Sequence, residues 1–192
     1  MGVTATTASL ASWYERNRDD PDSDIAPHFP TFFEVVRDTR AHTILELGVR
    51  DGHSTSAWLM ALAESGHRGT LSSIDRDPSA LPFRVGWRFL CADDLSALAR
   101  EWAPDVLDVL FIDTDHAYGH TLDELDVYGA RVRPGGMIVC HDTENEDPAS
   151  RGEAIDEQPP FPVRVAIDEW TQAHGLSWTN DTRSWGLGLI PV

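Results

Sequence analysis

The chain has 192 residues, is 41% hydrophobic, and carries a formal charge of −17 with a pI near 4.6. That length suits one domain, residues 1–192, with a core large enough to need no disulfide staples. So acidic a surface argues against nucleic acid as a partner, because phosphate binding depends on clustered Lys and Arg. No apolar run approaches the roughly 18 residues of a membrane span.

The first ten residues are rich in Thr and Ala and lack the basic start and long apolar stretch of a secretory signal. Residues 10–18 and 30–40 read as helices of an N-terminal extension, 1–40, whose apolar residues suit a homodimer contact or closure over a ligand. Residues 43–48 form a short apolar run closed by Gly48, a buried strand. Helical spacing follows over 54–64, with Ser54 or Thr55 placed to cap it. Strands are predicted at 70–75 and 87–91. A helix is predicted at 94–102 with Leu95, Leu98 and Ala99 on one face. The nearly continuous apolar run 106–113 is a strand buried on both faces. Residues 118–132 read as a helix stopped by Pro134-Gly135-Gly136, and 137–140 as the fifth strand.

This alternation implies right-handed βαβ crossovers and a parallel sheet. Residues 144–160, acidic and Pro-rich, read as an exposed loop overhanging the strand ends; 163–174 read as a helix, and 176–180 and 185–190 as a closing hairpin. The fold class is therefore α/β, a doubly wound, seven-stranded, mostly parallel sheet with N-terminal helices. Cys91 and Cys140 fall on strands roughly 15–20 Å apart at about 4.8 Å per step, whereas a disulfide needs Cα atoms within about 7 Å. Both read as reduced core residues, as in a cytoplasmic protein.

Ligands of such sheets bind outside the carboxyl ends of the strands, and the residues with chemistry cluster there. Gly48 and Gly52 remove side chains where a ligand must approach the backbone, and the helix start at Ser54 offers free N–H groups to a carboxylate or phosphate. The same pattern also describes a plain strand-to-helix turn. Asp75, at the tip of the second strand, suits ribose hydroxyls or a turn. Asp93 suits an adenine amino group or a helix cap, with Asp94 competing for either role. Asp113 and Asp142 follow central strands, so their carboxylates should face one crevice and suit a hard cation such as Mg²⁺. His141 adds a nitrogen that shifts preference toward a transition metal. His116 is placed to take a proton from a hydroxyl. His116 and His120 share i,i+4 spacing, but zinc needs more ligands than that pair.

The segments TILELGVRDGHST (43–55) and FIDTDHAYGHTLDELDVYGARVRPGGMIVCHDT (111–143) resemble the cofactor loop and the metal and base region of class I S-adenosylmethionine-dependent methyltransferases. The likeness, over about residues 42–143, is to small metal-dependent O-methyltransferases such as macrolide-sugar O-methyltransferases and cephalosporin-biosynthesis methyltransferase-like proteins. It implies a Rossmann-like methyltransferase fold with S-adenosylmethionine and a divalent metal, Mg²⁺, as cofactors. It further implies that Glu46, Gly48 and Gly52 line the methionine end, Asp75 holds the ribose and Asp93 meets the adenine. Asp113 and Asp142 would hold the metal, with Asp113 also touching the cofactor and the reacting atoms, and His116 would be the general base. His141 departs from the acid–acid or acid–amide pair often found in that branch, which leaves its ligand role open, and Glu46 is an alternative ligand.

The implied reaction is methyl transfer to the hydroxyl of a small molecule, with a natural-product sugar or polyketide ahead of a catechol as acceptor. Trp13, Tyr14, Phe29, Trp170, Trp178 and Trp185 suit stacking on such an acceptor or a place in the core. Two other classes stay open: a non-catalytic S-adenosylmethionine-binding protein, and an NAD-dependent or nucleotide-sugar enzyme. Against the latter stand the missing G-x-G-x-x-G and the absent Tyr-x-x-x-Lys pair.

Overall fold

The computed structural model describes residues 3–66, 68–78, 81, 85–146 and 158–192, with backbone alone for 3–9. Helices α1 (Val3–Asn17) and α2 (Phe29–Thr39), the latter entered through a 3-10 turn at Ala26–His28, precede β1 (Thr43–Leu47). The chain continues through α3 (His53–Glu64), β2 (Thr70–Asp75), β3 (Trp87–Cys91), α4 (Ala97–Trp102), β4 (Leu107–Ile112), α5 (Tyr118–Tyr128), β5 (Val132–His141), α6 (Pro162–His174), β6 (Thr179–Asp181) and β7 (Leu187–Pro191). One seven-stranded sheet runs in the order β3-β2-β1-β4-β5-β7-β6. β7 pairs antiparallel with β5 and β6, and the other pairings are parallel. The order reverses between β1 and β4, and that switch point opens a crevice at their carboxyl ends. No helix among the described residues is long and apolar enough to cross a membrane.

Side chains alternate across the central strands with a period of two. Ile44, Val109 and Phe111 face α2 and α3, where Phe32 stacks on Trp58 at 4.0 Å and meets Phe111 edge-on. Leu45, Leu47, Leu110 and Ile112 face the opposite layer with Leu125, Tyr128, Ile167 and Trp170. Of the aromatics considered for stacking, Phe29 and Trp170 are buried and Tyr14 stacks on Phe29, whereas Trp185 stays 45% exposed.

Four local expectations are corrected. Pro134-Gly135-Gly136 does not separate a helix from a strand, because α5 ends at Tyr128 and β5 begins at Val132 and runs through all three. The register shifts opposite them, between Leu107 and Val109. There the turned Asp108 accepts the Thr43 amide (2.7 Å) and the Arg133 guanidinium (2.5 Å). A Cβ on Gly136 would lie 2.7 Å from the Asp108 carbonyl oxygen, so glycine permits this bulge. Next, α4 starts at Ala97 because Ser96 accepts the Ala99 amide as its cap, and Leu98 points outward, 57% exposed. Third, Ser54 and Thr55 do not cap α3: Gly52 occupies the cap position, and both hydroxyls point into the protein. Finally, Cys140 is buried but Cys91 is exposed. Residues 147–157, most of the expected overhanging loop with Asp147, Glu153, Asp156 and Glu157, lie outside the described residues.

Candidate active site

The turn from β1 to α3 begins at Gly48, with φ of +88°. The Gly48 amide donates to Ile74 of β2, and the Asp113 amide donates to Leu47. A Cβ on Gly48 would lie 1.8 Å from the Asp113 carbonyl oxygen, so neighbouring backbone imposes glycine here directly. Asp75 holds the same turn from the other side. One of its oxygens accepts the Val49 and Arg50 amides at 2.7 and 3.0 Å, and the other accepts the Asp77 amide at 2.8 Å. Asp93 is exposed and accepts the Leu95 amide at 3.0 Å, forming a turn into α4.

A cavity opens between this turn and the segment before α2. About 120 Å³ in volume and partly open to solvent, it has Asp22, Asp24, Arg50, Asp51, Ser54 and Asp113 in its wall. Of the predicted residues, Gly48, Ser54 and Asp113 line it; Glu46, Gly52, Asp75 and Asp93 are not among the described lining residues. Asp22, Asp24 and Asp51 were not foreseen, since no spacing joins 22–24 to 48–54; only the docking of the N-terminal segment brings them together.

Glu46 stands behind the cavity wall. Its position in β1 turns it toward α3, where its carboxylate accepts hydroxyl hydrogens from Ser54, Thr55 and Ser73 at 2.8, 2.8 and 2.5 Å. It is completely buried, and burial pushes its carboxyl up to about 7 despite those bonds. Raised above the ordinary 4.5, it stabilises the fold fully below about pH 4.5, and that contribution, roughly 3 kcal/mol, is lost as the pH rises through about 7. Glu46→Gln should therefore gain stability relative to the parent protein between about pH 4.5 and pH 8. Denaturant unfolding across that range checks this; a constant difference would mean that Glu46 titrates normally.

Beside the cavity, Asp113 after β4 and Asp142 after β5 converge, as expected, and enclose two imidazoles. His116 Nε2 lies 3.2 Å from Asp113 Oδ1 and 3.0 Å from Asp142 Oδ2. His141 Nδ1 lies 2.8 Å from Asp142 Oδ2 and 3.5 Å from Asp113 Oδ1. The Asn145 amide donates to Asp142 Oδ1 at 2.8 Å, a contact that sequence spacing did not reveal. His116 and Asp142 both have left-handed backbone, φ +62° and +63°, an unfavourable conformation that marks over-determined positions at functional sites. Burial alone would depress the His116 imidazole, but the two carboxylates overcome it and push it up to about 10. Against the same effect of burial they raise His141 well above its ordinary value. Burial would raise Asp113 and Asp142, yet the imidazoles hold both carboxyls below the usual range. His28, also unforeseen, is buried edge-on against His141 with ring centroids 5.6 Å apart.

Asp113, His141 and Asp142 fit a cation. One ligand atom from each lies within 4.8 Å of the others, with His141 Nδ1 turned toward both carboxylates. Glu46 is committed to three hydroxyls instead.

A family model described as a methyltransferase domain matches residues 45–143. No curated protein matches the chain. Among solved structures, the Podospora anserina methyltransferase PaMTH1, bound to SAH, is similar at 15% identity and TM-score 0.62, covering 95% of this chain and 87% of that one. The Bacillus cereus O-methyltransferase in complex with SAH is similar at 17% identity and TM-score 0.61, covering 98% and 91%. The MycE methyltransferase of the mycinamycin biosynthetic pathway, in complex with Mg, SAH and mycinamycin VI, is similar at 19% identity and TM-score 0.68. That match covers 97% of this chain and 54% of MycE. At these identities the likeness shows the fold: a Rossmann-like methyltransferase sheet.

Proposed function

We infer that this chain, which belongs to the methyltransferase-domain family, transfers a methyl group from S-adenosylmethionine to a hydroxyl oxygen of a small molecule with the help of a divalent cation. The observation that carries the reading is that Asp113 belongs to two places at once: the wall of the Gly48 cavity and the carboxylate–imidazole cluster. A cofactor held in the cavity would lie next to the cluster through Asp113. Among the described residues the cavity wall holds Asp22, Asp24, Asp51 and Asp113 against Arg50 and His53, a field suited to a ligand with an ammonium and a sulfonium.

Asp113, His141 and Asp142 would hold the cation, with Mg²⁺ as the leading ion. When bound, it supplies Lewis acidity that lowers the pKa of an acceptor hydroxyl. The protein's own part is positioning, since the sulfonium already activates the methyl group. Both carboxylates face His116 Nε2, which leaves Nδ1, buried and unpartnered, as the nitrogen that takes the acceptor's proton. The two carboxylates raise His116, and a cation drawing on them would lower its basicity toward the range a general base requires. The leading acceptor is a natural-product sugar or polyketide hydroxyl, supported by the overall likeness to MycE. Trp185, 45% exposed in the β6–β7 loop, accepts the Glu144 amide at its carbonyl, two residues beyond Asp142, and is a candidate aromatic for the acceptor.

Calorimetric titration with S-adenosylhomocysteine, paired with turnover of hydroxylated acceptors with and without chelator, tests the reading. Cofactor binding and a chelator-sensitive, Mg²⁺-restored turnover are expected. Absence of cofactor binding overturns the whole reading, and turnover indifferent to chelator removes the cation.

A further inference from the structure

A second constellation, apart from the one just described, lies between the turn after β3 and the first turns of α5. His120 and Glu124 are four residues apart on α5 and so share one face. Asp94, from the turn into α4, meets them there. His120 Nε2 lies 3.1 Å from Asp94 Oδ2 and 3.5 Å from Glu124 Oε1. One ligand atom from each of the three residues lies within 4.8 Å of the others. Two ligands about 2.1 Å from a common ion, at tetrahedral to octahedral angles, sit roughly 3.0–3.4 Å apart, close to these separations.

Two further features point to an ion rather than to a salt bridge alone. Glu124 is completely buried, and its Oε2 has no partner, while Oε1 accepts the Thr114 hydroxyl at 2.9 Å. An unpartnered carboxylate oxygen at full burial is costly unless something cationic meets it. On the far side of His120, Nδ1 faces Asp115 Oδ2 at 3.6 Å. At that separation the carboxylate is an ion-pair neighbour, not a hydrogen-bond acceptor, and it would favour an N–H at Nδ1 when an ion takes Nε2. Among the described residues, no Lys or Arg takes part in the ion pairs of Asp94, His120 and Glu124; the neighbouring guanidinium of Arg76 pairs with Asp115 at 3.5 Å.

We propose that Asp94, His120 and Glu124 form a second divalent-cation site that pins the β3–α4 turn to α5. One imidazole with two carboxylates suits Zn²⁺ or Mn²⁺ better than Mg²⁺. The site shares no ligand with Asp113, His141 and Asp142 and does not depend on their holding an ion.

The test uses chelator-stripped full-length protein dialysed against Zn²⁺, with bound ion counted per chain. The Asp113→Asn/Asp142→Asn double variant is expected to keep one ion, and adding His120→Gln is expected to remove it. A parent protein that holds only one ion, likewise retained by the double variant, supports this site while counting against the first. A double variant that binds no ion overturns the proposal. Because His120→Gln could disturb folding, zinc X-ray absorption on the double variant reads the ligands directly. One imidazole with carboxylate oxygens is expected; two imidazoles would place the ion at His116 and His141 and overturn the proposal.

Discussion

Asp142→Asn is expected to lower methyl transfer by at least about 10²-fold while S-adenosylhomocysteine affinity stays within about threefold. The reason for the split is spatial. Asp142 is outside the described wall of the Gly48 cavity, yet it contacts His116, His141 and Asn145. Asparagine is the informative substitute because φ at 142 is +63°, a conformation asparagine adopts more readily than alanine. His116→Asn follows the same logic at φ +62° and should cost roughly 10²–10⁴ in rate if His116 takes the proton. Steady-state kinetics with calorimetric cofactor binding check both. A loss below about fivefold at 116 would make that histidine a structural counter-ion, and parallel losses of binding and turnover at 142 would point to a collapsed site.

Gly48→Ala should have the largest structural effect: loss of at least about 3 kcal/mol of stability together with loss of cofactor binding. Two penalties act at once. The backbone there has φ of +88°, and the new Cβ would lie 1.8 Å from the Asp113 carbonyl oxygen, which belongs to backbone and cannot swing aside. The ends of β1 and β4 would have to part where the cavity meets the cluster. Gly66→Ala separates the penalties, because Gly66 has φ of +74° but nothing within 4 Å of an added Cβ. It should cost only about 1 kcal/mol, the conformational part alone. Equal losses at 48 and 66 by denaturant unfolding would show that contact with Asp113 is unimportant.

Much of the site was legible because it lies at strand tips. Asp113 and Asp142 each follow an apolar run, and parallel strands bring their carboxyl ends to one edge whatever the helices do. The contacts of Glu46 could not be read from sequence, because what packs on a strand's face decides them, here the Ser54 and Thr55 hydroxyls of α3. Asp93 and Asp94 could not be told apart in sequence, yet in the fold these neighbours part: Asp93 stays exposed while Asp94 turns inward to His120. Pro134-Gly135-Gly136 reads as punctuation in isolation, and only β4, with Asp108 turned out of register, makes it part of a strand.

The alternation of apolar runs with amphipathic segments was sufficient by itself to determine a doubly wound sheet and the edge where its chemistry lies, because period and run length are local properties of a chain. Tertiary structure alone decided which polar side chains meet. The pairing of His116 with two carboxylates, the acidic wall from residues 22–24 and the meeting of Asp94 with α5 depend on segments distant in sequence. Their contacts are set by burial and electrostatic pairing in the folded core, which no spacing along the chain encodes.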